Sequence, residues 1–349
     1  MELEKRKQDH IDLTLDERSQ HPIRPFEMWR LPYTALPEIN LEDVSTETEL
    51  FGKTLSQPLI IASMTGGTKY AKTINTNLAR AAEKHNVALG VGSQRIALEK
   101  DDARETFELV RTHAPTAVLF ANMGAIQLNN GKLAKDYLEI IKMIEANGLY
   151  LHLNPLQEAL QPGGDTNYAG LYDKIARLVD EIDTPIFIKE VGHGIDEQTA
   201  KKLFEAGVAG IDVAGLGGTN YAWIEAQRAE AEYFARWFRY VGIPTDEALV
   251  AAAKHRPSGA KLVASGGMRT MVAALKARAL GADYYSSARS FLKRAVVSID
   301  DTDEAIAMAQ RGLQIAMFSC GVSNWDEAAD LKLIPSRDHS YTDSPTYND

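Results

Sequence analysis

The pattern that decides the fold is clearest in residues 261–269, which read Lys-Leu-Val-Ala-Ser-Gly-Gly-Met-Arg: a short apolar run that ends in small and polar residues. Seven further runs have the same design, and in chain order they are Pro58–Ala62, Val87–Val91, Ala117–Ala121, Leu149–Leu151, Pro185–Ile188, Gly210–Val213 and Ala282–Tyr285. Stretches with a helical apolar period, such as residues 73–85, lie between them. Strand, polar loop and helix, repeated eight times, predict an α/β fold of the (β/α)₈ (TIM) barrel type, in which the loops after the strands form the active site.

The length of 349 residues suits one barrel domain with extensions, since such a domain takes roughly 250 residues. We expect residues 1–57 to form an amino-terminal arm and a cover over the barrel bottom, residues 58–335 to form the barrel, and residues 336–349 to form a polar tail. Within the first segment, Glu2–Gln8 is predicted to be helical and Leu41–Leu55 alternates weakly, as in a hairpin.

The composition excludes several classes of protein. No apolar run approaches the ~18 residues of a membrane helix, and residues 1–16 are charged and lack the apolar region of a secretory signal. We therefore expect a soluble, cytoplasmic protein, and the single cysteine, Cys320, rules out an internal disulfide and is predicted to be packed and inert. A net charge of −10 argues against general nucleic-acid binding but leaves room for one local cationic pocket for a small anion.

One connection is much longer than the others. Between the sixth and seventh apolar runs, residues 221–259 contain an aromatic-rich part and a predicted sixth barrel helix at Glu247–His255. A loop of this length in a compact domain is usually functional. Two interpretations remain for the aromatic part, residues 221–240: helix packing or a subunit interface, and a lid that closes on the substrate.

Loops rich in glycine or other small residues follow the last two apolar runs, where barrels of this type commonly bind phosphate. Glycine lets backbone N–H groups approach an anion, and the start of a helix adds a favourable dipole. The residues that we expect to cradle the phosphate of a nucleotide-like cofactor are Gly266, Gly267, Arg269, Ala288 and Arg289.

Lys189 stands at the end of the fifth run, where it is a candidate Schiff-base amine, a charge partner or a surface cation. A position in the barrel mouth disfavours the surface cation. Flavin-binding barrels place a lysine near the electron-rich pyrimidine end of the ring, where a cation stabilises the reduced anion. Thr65, Asn122 and Thr219 end other runs and offer neutral donors and acceptors for ring edges and hydroxyls.

An anion site is predicted from the fourth loop and the amino terminus. His152 and Asn154 lie two residues apart and so share a face, and Glu158 offers a hard oxygen for Mg²⁺ that also holds a diphosphate. His152 as a core histidine and Glu158 as a helix-start carboxylate are the alternatives. If the arm folds over the mouth, the residues that meet one diphosphate are Arg6, Lys7, His10 and Arg95.

Together these segments resemble type 2 isopentenyl-diphosphate isomerase from about residue 5 to about residue 330. The segments are Arg6-Lys7, Asp9-His10-Ile11, Ser63-Met64-Thr65-Gly66-Gly67, Gly92-Ser93-Gln94-Arg95, His152-Leu153-Asn154-Pro155 with Gln157-Glu158, Gly217-Gly218-Thr219-Asn220 and Ser265-Gly266-Gly267. The resemblance implies an FMN-binding barrel that interconverts isopentenyl diphosphate and dimethylallyl diphosphate, with FMN reduced by NADPH, with Mg²⁺, and with the reduced flavin as the acid–base group. It also implies a homotetramer or homo-octamer.

The resemblance assigns roles residue by residue. It gives FMN contacts to Met64, Thr65, Ser93, Asn122, Lys189, Thr219, Gly267, Arg269, Ala288 and Arg289. It gives substrate contacts to Arg6, Lys7, His10, Ser93, Arg95, His152, Asn154 and Gln157, with His152 and Gln157 as the catalytic residues beside the flavin, and Mg²⁺ to Glu158. Ser286-Ser287 departs from the less polar residues expected before Ala288, which leaves the phosphate donors there undefined.

Two other enzyme classes fit parts of the pattern. An FMN-dependent oxidoreductase of the lactate-oxidase type shares the barrel, but it uses a catalytic histidine near strand seven, and here Lys254-His255-Arg256 precedes that strand. A phosphate-sugar isomerase or aldolase would use Lys189 as an amine and bind no flavin. A scaffold without catalysis is the weakest hypothesis, because it has no use for eight polar loops.

Overall fold

A computed structural model describes residues 2–336, with side chains from residue 5 onwards, and contains a closed barrel of eight parallel strands. The strands are β1 Leu59–Ile61, β2 Ala88–Gly90, β3 Leu119–Gly124, β4 Gly148–His152, β5 Ile186–Lys189, β6 Gly210–Asp212, β7 Lys261–Ala264 and β8 Tyr284–Ser287. Each strand pairs with the next in the chain, and β8 closes the barrel on β1, with Ser286 opposite Ile60. The predicted (β/α)₈ barrel and its eight strands are confirmed.

Helices connect the strands, and one further helix, the first in the chain, lies in the amino-terminal arm. They are α1 Glu2–Leu15, α2 Lys69–His85, α3 Asp101–His113, α4 Ala134–Met143, α5 Pro155–Leu160, α6 Leu171–Glu181, α7 Glu197–Glu205, α8 Tyr221–Arg228, α9 Glu232–Trp237, α10 Thr245–Ala253, α11 Met271–Ala279, α12 Arg289–Val297 and α13 Ile299–Ser319, with 3-10 turns at Glu17–Ser19, Leu41–Asp43, Arg95–Leu98, Ala125–Leu128 and Glu327–Asp330. In α2, Ile74 and Leu78 form the buried face, and the helix begins where Thr68 accepts a hydrogen bond from the Ala71 N–H. Within residues 2–336, none of the helices has the length and apolar character that crossing a membrane requires.

Three helices differ from their predicted bounds, and one of them, α2, begins four residues before the predicted stretch 73–85. The predicted Glu2–Gln8 continues to Leu15, because Ile11 is buried against the barrel and Arg289 binds the carbonyl groups at the end of the helix. The sixth barrel helix, α10, starts two residues before the predicted Glu247–His255. Thr245 fixes this start, since its hydroxyl donates to the Ser265 carbonyl at 3.0 Å.

The barrel interior is built in layers, because alternate residues of each strand face inwards. The middle layer is apolar, with Ile60, Ala88, Phe120, Tyr150, Phe187 and Val263 in one buried cluster. Phe120 and Tyr150 stack with ring centroids 4.4 Å apart, and Phe187 meets Phe120 edge-on at 5.3 Å. Two residues further along the strands the same face turns polar, with Asn122, His152, Lys189, Asp212, Ser265 and Ser286. We call these six residues the floor.

A hairpin closes the opposite end of the barrel. Its strands are Thr48–Leu50 and Lys53–Leu55, and Phe51 at the turn packs its ring against Phe120 and Phe187. Leu50 and Leu55 are buried beside it, and each fully buried leucine stabilises the fold by roughly 1.5–3 kcal/mol. The end with the floor is therefore the one that is free to receive a ligand.

The amino-terminal arm crosses the floor end. The His21 N–H donates to the Gly218 carbonyl at 2.8 Å, and the Asn220 N–H donates to the Ser19 carbonyl at 2.7 Å, so the arm is bound to the loop after β6. Further along, Trp29–Arg30 pairs with Ile334–Pro335. We call residues 5–27 the roof, because they lie over the strand ends.

The aromatic connection after β6 is exposed in part. Tyr233, Trp237 and Tyr240 are 53%, 69% and 62% exposed. Tyr233 and Trp237 pack on each other with ring centroids 5.3 Å apart, and their exposed faces leave room for a lid or a subunit interface. Cys320, by contrast, is buried at the end of α13, and burial raises the pKa of its thiol.

Candidate active site

A cavity of about 1540 Å³ lies between the floor and the roof. Every site residue predicted from the sequence lines it, namely Arg6, Lys7, His10, Met64, Thr65, Ser93, Arg95, Asn122, His152, Asn154, Gln157, Glu158, Lys189, Thr219, Gly267, Arg269, Ala288 and Arg289. The strand ends converge here because the carboxyl ends of parallel barrel strands meet at one face. The arm reaches the same cavity by folding over it.

Lys189 lies in the floor as half of an ion pair. Its ammonium donates to Asp212 Oδ2 at 2.7 Å and to Ser265 Oγ at 3.1 Å. A lysine held as an ammonium has no free lone pair with which to attack a carbonyl. This geometry argues against the aldolase alternative.

His152 is held as a neutral imidazole. Its Nδ1 lies 2.8 Å from Asn122 Oδ1, and the Asn122 amide nitrogen donates to the Val91 carbonyl at 3.1 Å. The amide oxygen therefore faces the ring, which assigns the proton to Nδ1 and leaves Nε2 as an acceptor. Burial, with the charges of Arg95 and Lys189, lowers the pKa of His152 to about 4, so the ring is uncharged at neutral pH.

The roof contributes a cluster of cations. Burial, with the neighbouring charges of Arg6 and Arg95, lowers the pKa of Lys7 to about 7. The Lys7 ammonium donates to the Gly66 carbonyl and lies 5.6 Å from the centroid of the Phe107 ring. Burial and Arg95 lower the pKa of Arg6 as well. Such repulsion between like charges is relieved when an anion binds among them.

Glu158 lies in the first turn of α5 and faces the cavity. Its Oε1 accepts a hydrogen bond from Asn154 Nδ2 at 2.9 Å, and its Oε2 accepts one from the Asp165 N–H at 2.9 Å. The Tyr168 hydroxyl donates to Asn154 Oδ1 at 3.1 Å, which fixes the orientation of that amide. Among residues 5–336, no group of three or more His, Cys, Asp or Glu side chains forms a metal site of its own. Glu158 can therefore supply only part of the ligand set that a bound metal ion would need.

Glu225 is a functional candidate that the sequence analysis missed. It is 0% exposed on α8, and Oε1 accepts hydrogen bonds from His10 Nε2 at 2.7 Å and Gln157 Nε2 at 2.9 Å, while Oε2 pairs with Arg228. Burial alone would raise the pKa of Glu225, but the bonds and charges of these partners outweigh it and lower the pKa. The available signal was a carboxylate inside the apolar stretch Tyr221–Ala226.

The two arginines predicted to bind phosphate are bonded to the roof. Arg269 Nη2 donates to the carbonyls of His21 and Gly217, both at 3.0 Å. Arg289 donates to the Thr14 and Leu15 carbonyls, and its Nη2 lies 2.7 Å from Glu17 Oε1. Both arginines line the cavity, yet these donors hold the arm in place.

The loop after β7 contributes glycine backbone to the cavity wall and packs closely on the loop after β6. Gly266 and Gly267 have φ of +95° and +73°, a region that glycine adopts freely. A Cβ added at Gly267 would lie 2.8 Å from the backbone of Gly217. α12 begins nearby at Arg289, so its first N–H groups are open to an anion.

Two floor-level hydroxyls that line the cavity have no partner. Ser63 Oγ and Ser286 Oγ are buried and form no hydrogen bond within the described residues. Buried polar groups are normally satisfied, and leaving one unpaired costs about 1–3 kcal/mol. A ligand with a polar edge fits this part of the cavity.

Comparison with known proteins agrees with this geometry. The FMN-dependent dehydrogenase family matches residues 13–129 and 153–334. Among solved structures, mandelate oxidase with (S)-2-phenylpropionate matches with a TM-score of 0.66 at 16% identity, over 95% of this chain and 98% of that chain. At this identity the likeness concerns the fold alone.

Sequence relatives are similar over nearly their whole length. The isopentenyl-diphosphate delta-isomerase of Nostoc sp. is 43% identical over 92% of this chain and 93% of its own. Those of Oceanobacillus iheyensis and Cronobacter sakazakii are each 40% identical, over 98% and 95% of this chain and 99% and 97% of their own. At this identity and coverage, the chain belongs to the isopentenyl-diphosphate delta-isomerase family and, through its barrel, to the FMN-dependent dehydrogenase family.

Proposed function

We propose that this protein is a type 2 isopentenyl-diphosphate delta-isomerase, which interconverts isopentenyl diphosphate and dimethylallyl diphosphate on reduced FMN. A proton is added at one end of the allylic unit and removed from the other, so there is no net redox change. The observation that carries the proposal is the cationic cluster of Arg6, Lys7 and Arg95, which lines the same cavity as the polar floor. It provides a diphosphate site next to a flavin site.

The cavity fits FMN. The N–H groups at the start of α12, which line the cavity together with Gly267, suit a phosphate, and the unpaired hydroxyls of Ser63 and Ser286 suit the polar edge of a ring. The residues proposed to hold FMN are Met64, Thr65, Ser93, Asn122, Lys189, Thr219, Gly267 and Ala288. The resemblance adds Arg269 and Arg289, whose hydrogen bonds in the structure go to the arm and to the loop after β6. When bound and reduced by NADPH, the flavin supplies the acid–base group for the carbon atoms.

The chain itself binds and orients the substrate. Arg6, Lys7 and Arg95 neutralise the diphosphate, with His10, Ser93 and Asn154 as further proposed contacts. His152 and Gln157 are the side chains proposed to border the reacting carbons. His152 is uncharged at neutral pH, and Gln157 is fixed by Glu225, so the hydrocarbon part meets neutral, immobile groups.

Glu158 is proposed to hold Mg²⁺ together with the diphosphate. A single carboxylate suits this ion, because Mg²⁺ is usually bound by one or two carboxylates, substrate phosphates and water. We expect Glu158→Gln to lower Mg²⁺-stimulated activity by about tenfold or more, while FMN remains bound. Glu99→Gln, on the surface outside the cavity, is the control. An unchanged dependence on Mg²⁺ concentration would remove Glu158 from the metal site.

The proposal is tested by an anaerobic assay of the purified protein with FMN, NADPH, Mg²⁺ and isopentenyl diphosphate. Dimethylallyl diphosphate should form in many-fold excess over the NADPH consumed, because the flavin is not turned over. Consumption of one reductant or oxidant per product would instead indicate an oxidoreductase. A colourless protein that binds no FMN would contradict the flavin site.

We also propose a homotetramer or homo-octamer. The exposed aromatic side chains of Tyr233, Trp237 and Tyr240 support a subunit contact. Light scattering of the purified protein measures the mass, and a monomer would contradict this part of the proposal.

A further inference from the structure

The floor contains a buried ion pair whose acidic member has no role in the proposed function. Lys189 at the end of β5 and Asp212 at the end of β6 stand directly opposite each other in the sheet register. Asp212 is 0% exposed and lies behind the cavity wall, whereas Lys189 lines the cavity. Asp212 can therefore reach a ligand only through another residue.

Ser265 of the loop after β7 completes the arrangement. Its hydroxyl accepts a hydrogen bond from the Lys189 ammonium and donates one to Asp212 Oδ1. Asp212 Oδ2 accepts a second hydrogen bond from the same ammonium. Each carboxylate oxygen thus receives one hydrogen bond. Lys189 uses two of its three N–H groups on these partners, so one remains for the cavity.

We propose that Asp212 is a positioning residue for the flavin ring, which acts through Lys189. The inference rests on the proposed function. Asp212 and Ser265 fix the direction of the free Lys189 N–H and balance its charge, so the ring meets one oriented donor on an electrically neutral floor. A buried ion pair contributes geometry rather than net stability, and either partner left alone is strongly unfavourable.

The test is a double-mutant cycle with Asp212→Asn and Lys189→Met, read as the rate at which FMN leaves the purified holoprotein after dilution. Asp212→Asn should speed FMN release by about tenfold or more, because Lys189 loses the carboxylate that fixes the direction of its free N–H towards the ring. Lys189→Met should do the same, because it leaves Asp212 alone beneath the anionic cofactor. In the Lys189→Met background, Asp212→Asn should slow FMN release, since it removes the unpaired carboxylate.

This reversal of sign distinguishes positioning from packing. If Asp212 served only to pack the barrel, Asp212→Asn would speed release by the same factor in both backgrounds, and the inference would be overturned. No change in either background would also overturn it. If Asp212→Asn does not fold, Ser265→Ala takes its place, with an expected effect of about fivefold that is lost in the Lys189→Met background.

Failure of the inference and failure of the proposed function give different results. Wild-type protein that binds no FMN refutes the proposed function and the inference together. Wild-type protein that binds FMN and isomerises the diphosphate, without the reversal of sign, refutes the inference alone. Thermal unfolding of each variant checks that the release rates are measured on folded protein.

Discussion

The floor and the roof of the cavity hold charge in opposite ways. On the floor, the ammonium of Lys189 is balanced by the carboxylate of Asp212 on the neighbouring strand. In the roof, Lys7 lies beside Arg6 with Arg95 close by, and burial with this repulsion lowers the pKa of Lys7 to about 7. The charge of Lys189 is balanced within the floor, whereas Arg6 and Lys7 of the roof lie beside Arg95, which is also paired with Asp165 at 3.3 Å. A cluster of positive charges at a cavity wall favours a ligand of the opposite sign.

One residue joins the roof to the cavity wall. Glu225 of α8 binds His10 of the roof and Gln157 of the cavity wall through the same oxygen, and its other oxygen pairs with Arg228. Removing its carboxylate would leave His10 and Gln157 without this acceptor and Arg228 with only Asp9, at 3.6 Å, as a partner. The roof should therefore be most sensitive to substitution here.

The largest expected effect is that of Glu225→Ala. Breaking a buried ion pair by removing one partner costs about 3–5 kcal/mol, so the free energy of unfolding should fall by that amount. Hydrogen exchange of residues 5–15 should accelerate more than that of the barrel strands, because His10 loses its partner. Urea denaturation and exchange mass spectrometry measure the two effects.

The matched control is Glu232→Ala on the neighbouring helix α9. Glu232 pairs with Arg236 on the surface, where both side chains are largely exposed, and such pairs contribute about 0–1 kcal/mol. If the two substitutions destabilise the protein equally, Glu225 does not connect the roof to the cavity wall.

Part of the floor was predictable from the sequence, whereas the roof was predictable only on a condition. Strand ends such as Asn122 and Lys189 follow apolar runs, and barrel geometry brings all strand ends together. Arg6, Lys7 and His10 were expected at a diphosphate only if the arm folds over the mouth, and no rule of barrel geometry settles that condition. The contact of Glu225 with His10 depends on how the arm packs, so Glu225 was missed.

The sequence also could not predict which acceptors the site arginines bind. Arg289 follows the eighth strand, which predicts a phosphate contact, yet three of its contacts are to Thr14, Leu15 and Glu17. A guanidinium has five N–H donors, and residue type does not say which acceptors will take them.

The next largest effect concerns the cationic cluster of Arg6, Lys7 and Arg95. Arg95→Ala should raise the KM for isopentenyl diphosphate by roughly 10–150-fold, the equivalent of about 1.5–3 kcal/mol for a lost charged hydrogen bond. The rate of FMN release should not change, because the floor and the glycine backbone remain intact. Arg104→Ala, which removes a surface arginine paired with Glu108 and Glu139, is the control. A normal KM for Arg95→Ala would remove this residue from the diphosphate site.

Lys7 gives the roof a pH dependence that the floor lacks. Since the pKa of Lys7 is about 7, kcat/KM should fall to about a tenth between pH 6 and pH 8 as the ammonium is lost. Lys7→Arg keeps its charge and should flatten this decline. Burial also raises the pKa of Glu190 to about 7, so the comparison with Lys7→Arg isolates the contribution of Lys7. Equal profiles for the two proteins would exclude Lys7 as the titrating group.

The same group should act on stability with the opposite sign. The pKa of Lys7 is lower in the folded protein than the ordinary value of 10.5, so the unfolded chain binds more protons between about pH 7 and 10.5. The contribution of Lys7 to the free energy of unfolding should therefore rise with pH across this window. Lys7→Met should remove that rise, which denaturation of the substrate-free protein at several pH values measures.

The smallest expected effect shows whether Arg289 holds the arm or the phosphate of FMN. Its guanidinium bonds to the Thr14 and Leu15 carbonyls, so Arg289→Ala should loosen the end of α1 and raise the KM for the diphosphate by about fivefold, as for the loss of about 1 kcal/mol. FMN release should stay within about twofold of wild type, because the phosphate is then held by the backbone of Gly267 and the start of α12. The opposite pattern, faster FMN release with an unchanged KM, would show that Arg289 is a ligand of the FMN phosphate. Glu17→Gln, which weakens only the exposed part of the same cluster, should change neither quantity, since exposed ion pairs contribute little.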